Sequence, residues 1–386
     1  MTARPIDEAH RTASPLELLF DLTFVVAVAA VTAELAHSIA EGHAGVLPFL
    51  QVFFAIWWAW MNFTWFASSY DTDDVPYRLL TMLQMAGVLV LAAGVPTAAA
   101  DSDYRAVLLG YLIMRAGLVA QWLRAAYEDP DRRRTALRYA GGIAAAQAGW
   151  VLALVLTDLA LPFFVALVAL ELAVPRWAER AYPTTWHPHH IAERYGLFVI
   201  ILLGESVLAA SRGVREALAA GEVGSSFVLV AGAGLVLLFA LWWLYFLHPS
   251  GAGLSERRAY SYRWGYGHYG LFAALAALGA GLEVAVERTA HELKTSSMAV
   301  GYAVAVPVAV FLLMLWLVHA PIVDPPVTSP VLVLGCVTVV LLLPLALPLA
   351  GVVAGTGVVA VLLVAVVLAR SGQAKGPSPG VTRSHS

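Results

Sequence analysis

Long apolar runs, separated by short polar stretches, dominate the chain from end to end. A helix needs about 20 mainly apolar residues to cross the hydrocarbon core of a bilayer. Divided at charged, proline and glycine clusters, the runs predict about twelve membrane-spanning helices, and ten or eleven remain possible because prolines and glycines blur the C-terminal boundaries. The predicted spans are 15–37, 46–69, 77–99, 104–126, 135–157, 159–175, 191–211, 226–248, 264–287, 297–318, 330–349 and 353–370.

The composition agrees with an all-α polytopic membrane protein. Of the 386 residues, 60% are hydrophobic and only 13% are charged, far from the balance of a soluble domain. The formal net charge of −3 argues against a nucleic-acid partner, which would select a basic surface. Cys336 is the single cysteine, so neither an intrachain disulfide nor a thiolate metal cluster is possible.

Lysine and arginine residues separate strongly between alternate loops when both termini are placed in the cytoplasm. Seventeen of them then lie on the cytoplasmic side and five lie outside, while Arg115 falls within a span. By the positive-inside rule, this asymmetry predicts an integral membrane protein with both termini cytoplasmic. The first span lacks a clear small-residue cleavage site, so we expect it to be a retained helix.

The two halves of the chain share short motifs at one offset of 185 residues. The Phe-Ala-Ile-Trp-Trp motif at 54–58 returns as Phe-Ala-Leu-Trp-Trp at 239–243, and Tyr77-Arg78 returns as Tyr262-Arg263. This predicts two parallel six-helix repeats, with chance similarity among Trp-rich spans as the alternative. The predicted divisions are a cytoplasmic N-terminal tail (1–14), a first repeat (15–175), a cytoplasmic loop (176–190), a second repeat (191–370) and a disordered cytoplasmic tail (371–386).

Charged residues inside apolar spans are the candidates for a functional site, because a charge near the bilayer centre costs about 2.5–3.5 kcal/mol on insertion scales. Glu17 and Asp21 are four residues apart, which places both carboxylates on one face of the first helix. Two close carboxylates in a low-dielectric site raise at least one pKa, which suits proton coupling. Alternatively, Glu17 only completes a capping box with Ser14.

The seventh span repeats this arrangement with variation. Glu193 and Arg194 stand at its entrance, with Glu193 roughly aligned to Glu17, and Glu205 lies deeper, about three turns from Arg194. Arg194 and Glu205 share a face but cannot touch, so each is expected to need a partner on another helix. Gly204 is expected to let a neighbouring helix approach closely beside Glu205, which is either a site residue or a structural hydrogen-bonding group.

Arg115 falls near the middle of the fourth span, where a carboxylate is the obvious counter-ion. Asp21 and Glu205 are its candidate partners, and a static ion pair is the alternative to a functional one. Glu171, about one turn from Arg176, is expected to reach the membrane surface.

Histidines give weaker signals. His268 lies one turn inside the ninth span as a candidate site residue, although a lone helical histidine is more often a packing residue. His189 and His190 are weak candidates for metal ligands, because His189 and Glu193 have helical i, i+4 spacing. No matching His-rich segment is found elsewhere, so neither a metal nor another cofactor is predicted.

Tryptophans at mid-span are a further feature of the second helix. Trp57 and Trp58 lie far from the ends where tryptophans usually anchor a span, and so do their repeats Trp242 and Trp243. They either pack the bundle interior or line an apolar or cation-binding cavity. Packing is the favoured interpretation.

Two segments resemble the sequence signatures of the bacterial low-temperature-requirement A family. These are PLELLFDLTFVVAVAA near the start and HHIAERYGLFVIILLGES in the middle, and the resemblance covers about residues 14–370. It implies a multispanning inner-membrane protein, linked by name to growth in the cold, and supplies no substrate. The positions matching the family pattern are Glu17, Phe20, Asp21, His190, Glu193, Arg194, Gly204 and Glu205.

Three functions remain open. An ion-coupled secondary transporter of an unknown small solute would use parallel repeats, interior carboxylates and a buried arginine. A membrane-embedded enzyme acting on lipid or a lipid-linked group would use carboxylates and histidines as acid, base or metal ligands, and is less favoured. A membrane sensor or scaffold would use the charges only to join helices. Expected partners are the lipid bilayer, a small solute or ion, and a second copy of the chain.

Overall fold

The computed structural model describes residues 1–374 except 2, 6, 7, 9, 10, 44, 158, 220, 222, 223, 248, 249 and 324–327. Of the predicted C-terminal tail, residues 375–386 lie outside the described residues. In the described part the α-helices are α1 (Pro15–Ala40), α2 (Val46–Tyr70), α3 (Val75–Ala93), α4 (Val95–Asp101), α5 (Arg105–Glu128), α6 (Arg133–Thr157), α7 (Leu161–Ala178), α8 (Pro188–Ala219), α9 (Ser225–Phe246), α10 (Ser250–Glu256), α11 (Ser261–Ala290), α12 (Ser297–His319), α13 (Pro330–Ala346) and α14 (Leu349–Ala374).

The helices match the predicted spans. Within the described residues, eleven helical segments are long and apolar enough to cross a membrane, with the short α4 continuing α3. The remaining predicted span, the eleventh along the chain, is α13, an apolar helix of 17 residues that contains Pro344. The prediction of an all-α polytopic membrane protein with ten to twelve spans is therefore confirmed.

Several helices begin at residues whose side chains cap the first turn. At the start of α1, the Ser14 amide donates to Glu17 Oε2 at 2.7 Å and the Glu17 amide donates to Ser14 Oγ at 3.3 Å. This is the predicted capping box, with Pro15 at the first helical position. Asp74 caps α3 and Ser296 caps α12 each through a single hydrogen bond, which its side chain accepts from an amide of the first turn.

Glycines bring two pairs of helices into backbone contact. A Cβ atom added to Gly110 of α5 would lie 2.3 Å from the Leu91 nitrogen of α3, and one added to Gly281 of α11 would lie 2.2 Å from the Ala303 oxygen of α12. Lipid supplies little hydrophobic drive for helices to associate, so such close approach is a main source of packing energy in membranes. Larger residues at these two positions would separate the helices.

Many helix neighbours in one half have counterparts in the other. α1 packs on α3 as α8 packs on α11, and α5 packs on α6 as α12 packs on α13. Helices α2 and α9, which carry the duplicated Trp-Trp motif, differ: α9 packs mainly on α14, whereas α2 lies among α1, α5, α8 and α11. The parallel repeat stays a prediction.

The halves meet where α1 and α2 contact α8 and α11. We call the end of the bundle where α1, α8 and α11 begin the N-terminal face, and the end where α1 finishes and α2 begins the opposite face. Helix α2 is deeply enclosed at this junction, since Trp57, Trp58 and Trp60 are each 0–1% exposed. Its side chains therefore meet groups from both halves.

Candidate functional site

A cluster of fully buried charges joins the two halves near the N-terminal face. One helical turn separates Glu17 from Asp21, so both carboxylates project from α1 toward the parallel helix α8. Arg194 of α8 holds both: Nε and Nη2 donate to the two oxygens of Asp21 at 2.8 and 2.7 Å, and Nη1 donates to Glu17 Oε1 at 2.8 Å. All three side chains are at most 2% exposed.

Two further groups complete this cluster. The Trp60 indole of α2 donates to Asp21 Oδ1 at 2.6 Å, and His190 Nε2 lies 3.0 Å from Glu17 Oε1. His190 Nδ1 is buried without a hydrogen-bond partner. Bidentate arginine–carboxylate bonds are strong enough to offset much of the cost of burying these charges. The predicted pairing of Arg194 with another helix is confirmed.

Alternating acids and arginines extend from this cluster toward the N-terminal face. Arg11 Nη2 lies 3.7 Å from Glu17 Oε1 and 3.6 Å from Asp71 Oδ2, and Arg4 Nη1 lies 3.8 Å from Asp71 Oδ2. Burial raises the pKa of Asp71, and the nearby Glu17 charge raises it further, while Arg11 and Arg4 oppose the shift. The series links a deep carboxylate to the surface in short steps.

A second buried cluster lies within the first half and corrects the predicted partner of Arg115. Arg115 of α5 pairs with Glu171 of α7, since Nη2 donates to Glu171 Oε2 at 2.7 Å, and both side chains are 1% exposed. Neither Asp21 nor Glu205 is its partner. Glu171 also does not extend to the membrane surface, because it lies two to three turns inside α7 and accepts hydrogen bonds from three other helices, α2, α5 and α6.

Four neutral donors also bind the Glu171 carboxylate: the indole of Trp58 at 2.8 Å, the hydroxyl of Tyr111 at 2.8 Å, the amide of Gln147 at 3.0 Å and the indole of Trp150 at 3.2 Å. Sequence reasoning missed this residue. The signal was its depth in an apolar span, the same rule that singled out Arg115.

Helix α2 separates the two clusters. Residues two apart on an α-helix point about 200° apart around its axis, so Trp58 and Trp60 project to opposite sides. Trp58 binds Glu171 in one cluster and Trp60 binds Asp21 in the other. Indole is a donor only, and a buried indole N–H seeks an acceptor.

Glu205 lies in a third group near the opposite face. Its Oε1 accepts two long hydrogen bonds, 3.4 Å each, from Arg212 about two turns further along α8, so the prediction of a partner on another helix is wrong for Glu205, and its Oε2 is buried without a partner. Arg212 binds Glu283 of α11 more closely, at 2.9 and 3.0 Å. The expectation about Gly204 is wrong, because Gly204 is exposed and a Cβ there would meet no atom within 4 Å.

The remaining predicted residues lie apart from these clusters. His268 is fully buried, with Nδ1 2.7 Å from the Trp264 carbonyl and Nε2 3.1 Å from the Tyr245 hydroxyl, so both ring nitrogens have partners in an aromatic environment. Glu193 and His189 are exposed. Among the described residues, no three His, Cys, Asp or Glu side chains come together as metal ligands.

Two cavities lie along the α2–α11 interface, one toward each face. The one toward the opposite face has a volume of about 610 Å³ and lies between α1 and α2 on one side and α11 and α12 on the other. Its lining is almost wholly apolar, with Leu50 and Tyr269 at its inner part. The one toward the N-terminal face is much smaller, about 30 Å³, and aromatic rings surround the carboxylate of Glu179 there.

An aromatic layer separates these cavities. Trp57 of α2 lies against Tyr269 of α11 with ring centroids 5.2 Å apart, and Trp58 lies against Tyr266 with ring centroids 5.5 Å apart. The Tyr269 hydroxyl also donates to the Leu50 carbonyl at 2.8 Å. We call Trp57, Trp58, Tyr266 and Tyr269 the aromatic layer. Trp57 and Trp58 are packed in the bundle interior and line neither cavity, so the packing interpretation is confirmed for these two, whereas Trp242 and Trp243 are about half exposed and fit neither interpretation.

Comparison with known proteins extends the resemblance noted in the sequence. One relative, named uncharacterized protein RA0937, from Rhizobium meliloti (strain 1021), is 29% identical over 250 residues. That alignment covers 60% of this chain and 57% of the relative, so this chain spans little more than half of the relative's length. No solved structure matches the chain.

The family comparison covers nearly the whole chain. The model of the bacterial low temperature requirement A protein (LtrA) matches residues 12–367, from just before the capping box of α1 into α14. Both buried clusters and both cavities therefore lie inside the matched region. The chain belongs to the bacterial low temperature requirement A (LtrA) family.

Proposed function

We propose that the protein is a secondary transporter that moves a small solute along the α2–α11 interface between its two halves. The observation that carries this proposal is the pair of cavities at opposite ends of that interface, closed from each other by the aromatic layer. Alternating access requires a site that opens to one side while a barrier closes the other. The aromatic layer is such a barrier.

The position of the cavities agrees with this proposal. Substrate sites of secondary transporters commonly lie between the structural repeats, where one half can move against the other. Both cavities are lined by residues of both halves, because α11 belongs to the second half and α2 to the first. Movement of α11 relative to α2 would change the aromatic layer directly.

The Glu17–Asp21–Arg194 cluster supplies a means of ion coupling. Its ion pairs join α1 to α8, one helix from each half. Protonation of either carboxylate would remove a charge that holds Arg194 and would weaken the contact between the halves. A proton can drive a conformational change in this way, because its binding weakens a contact that holds two helices together.

We further propose the bacterial cytoplasmic membrane as its location, with the N-terminal face in the cytoplasm. Seventeen of the 23 lysine and arginine residues lie on that side, in its loops and tails or at the adjoining ends of spans, when the predicted spans are followed. The positive-inside rule supports this orientation. It would place the aromatic cavity at the cytoplasmic end and the larger apolar cavity at the external end.

Cysteine labelling tests alternating access without knowledge of the solute. In a Cys336→Ser background, Ala273→Cys reports on the larger cavity and Met61→Cys on the smaller one. In oriented proteoliposomes, an impermeant methanethiosulfonate is applied while a pH gradient is imposed in either direction. The expected result is a change of about threefold or more in the two labelling rates, in opposite directions, as the populations shift.

Three variants sharpen this experiment. Trp57→Ala removes part of the aromatic layer, so Met61→Cys should become reactive to reagent applied at the opposite face. The Asp21→Asn variant should abolish the response to the gradient, while Glu193→Gln, an exposed carboxylate on α8, should retain it. Labelling rates that stay constant under proton, sodium and potassium gradients alike would rule out the transporter.

A scaffold is the second candidate, and one observation favours it. Every oxygen of Glu17 and Asp21 is engaged by Arg194, Trp60, His190 or the Ser14 amide, as expected for a static joint between helices. A scaffold predicts constant labelling under all gradients, so the same measurement separates the two functions.

A further inference from the structure

The small cavity at the N-terminal face has the chemistry of a cation site. It lies where the end of α7 meets α2, α5, α6 and the start of α11. Six aromatic side chains line it, and the carboxylate among them belongs to Glu179, the residue that follows the last turn of α7. The aromatic residues are Trp65, Trp122, Tyr139, Trp186, Tyr262 and Tyr266.

Neutral groups satisfy the hydrogen bonds of Glu179, and the positive charge that acts on it, on Arg258, lies beyond ion-pair distance. Tyr262 donates to Oε2 at 2.8 Å, Tyr139 donates to Oε1 at 3.3 Å, and the Thr184 hydroxyl also donates to Oε1. Among the ion pairs of the described residues, none includes Glu179. A half-buried carboxylate held by three hydroxyls is set up to receive a cation.

The ring faces around Glu179 already attract cations from outside the cavity. The Arg258 guanidinium lies 3.9 Å from the centroid of Trp186, and that of Arg176 lies 5.6 Å from the centroid of Tyr262. Both distances are within the range of cation–π attraction. Neither arginine forms an ion pair with Glu179, so the inner position beside the carboxylate is left for another cation.

The size of the cavity limits what that cation can be. A water molecule needs about 10–15 Å³ of accessible volume. The cavity, with about 30 Å³, therefore holds roughly two groups of that size. Methylammonium, with one nitrogen and one carbon, matches that size. Its N–H groups can donate to Glu179 while the methyl group and the charge lie against the rings.

We propose that this cavity binds a small primary amine in its ammonium form, through Glu179 and the surrounding aromatic rings. The proposal deepens the transporter proposal by naming the class of solute, and it rests on that function only for the assignment of the amine as cargo. Binding itself requires no transport.

Isothermal titration of the detergent-purified full chain with methylammonium chloride tests this site, with sodium chloride at equal ionic strength as the reference. Saturable heat with methylammonium and none with sodium is the expected result. Tetramethylammonium, which has five non-hydrogen atoms, should bind about tenfold more weakly because it exceeds the cavity. Equal heats with sodium, or tighter binding of tetramethylammonium, would overturn the assignment.

Variants separate the carboxylate from the rings. Glu179→Gln keeps acceptors for the hydroxyls and removes the charge, so affinity should fall about tenfold or more. Glu256→Gln, an exposed acid on the same face, should bind like wild type. Tyr262→Leu should bind about two- to fivefold more weakly than Tyr262→Phe, because only the second keeps the ring.

The outcomes distinguish this site from the transporter proposal. Unchanged affinity in Glu179→Gln, with melting temperature retained, would overturn the site even if cysteine labelling responds to gradients. Saturable binding that Glu179→Gln abolishes, combined with constant labelling, would keep the site and overturn transport.

Discussion

Helices α2 and α9 carry nearly the same aromatic motif in opposite surroundings. Trp57 and Trp58 are 1% and 0% exposed, whereas Trp242 and Trp243 are 45% and 49% exposed. The difference comes from their neighbours, since α2 lies at the junction of the halves and α9 lies at the edge beside α14. A shared motif gives two helices the same side chains, but the neighbouring helices determine which of those side chains are buried and which form hydrogen bonds.

The polar partners of the two helices differ in the same way. Trp60 of α2 donates to the charged Asp21, while Tyr245, at the corresponding position of α9, meets the ring of His268. The first half thus uses its motif to hold buried charges, and the second half uses it to hold a neutral packing pair. Four predictions test this contrast, from the largest expected effect to the smallest.

Loss of Arg115 should have the largest effect. Arg115→Ala leaves Glu171 charged in the interior without its ion-pair partner, at an expected cost of about 3–5 kcal/mol in stability. The yield of monodisperse protein and the melting temperature in detergent should both fall. The double variant Arg115→Met with Glu171→Gln removes both charges and keeps an acceptor for the neutral donors, so it should recover part of the loss. A double variant less stable than Arg115→Ala would contradict this account.

The matched pair Trp58→Ala and Trp243→Ala tests the contrast directly. Truncation of buried Trp58 creates a cavity and removes a donor to Glu171, with an expected loss of about 3–5 kcal/mol. Trp243 lies half exposed at the bundle surface, so its truncation should change stability by less than about 0.5 kcal/mol. Thermal unfolding followed by fluorescence gives both values. Similar losses would show that α9 is enclosed as α2 is.

Removal of single donors probes the partners themselves. Trp60→Phe takes a hydrogen bond from a charged acceptor and should cost about 2–3 kcal/mol, whereas Tyr245→Phe takes one from a neutral ring and should cost about 1 kcal/mol. Tyr260→Phe, at an exposed tyrosine, is the control for the loss of a hydroxyl. An equal loss of stability in Trp60→Phe and Tyr245→Phe would mean that the charge of Asp21 does not strengthen its hydrogen bond with Trp60.

The smallest effect concerns Asp74, whose counterpart at the same offset is Ala259. Asp74 caps α3 through the Tyr77 amide at 3.0 Å and accepts from Arg124 at 2.6 Å. Asp74→Ala should therefore cost about 1 kcal/mol, and Ala259→Asp should gain nothing comparable. The hydrogen bonds from Arg124 lower the pKa of Asp74. A carboxylate whose pKa is lower in the folded state stabilises the fold at pH values above its unfolded-state pKa, and this stabilisation is lost as the pH falls through its folded-state pKa. The difference in melting temperature between wild type and Asp74→Ala should therefore narrow in acid.

Span length and hydrophobicity were enough to predict the helices, because in a bilayer each span must satisfy its own backbone hydrogen bonds. The helical spacing of Glu17 and Asp21 was likewise enough to place both on one face, and a burial rule for charges pointed to Arg194. These are local properties of single helices. The sequence carries them in full.

The side-chain partners between helices were harder to predict from the sequence. Glu171 was assigned to the surface because Arg176 follows it by about one turn, yet its partner comes from α5, whose neighbours no single span reveals. Gly204 was expected at a helix contact for its size alone, and it faces open space. Which face of a helix turns inward depends on the whole bundle, since every span here is apolar on most sides.

Trp58 and Trp60, bound to carboxylates on opposite sides of α2, have a mechanical consequence. Rotation of α2 about its own axis would break both hydrogen bonds at once, so the two carboxylates together hold the helix against such rotation. Among the described residues, α11 is joined to α2 by the hydrogen bond from the Tyr269 hydroxyl to the Leu50 carbonyl. A displacement of α11 along α2 would therefore break this bond and leave both indole–carboxylate bonds of α2 in place.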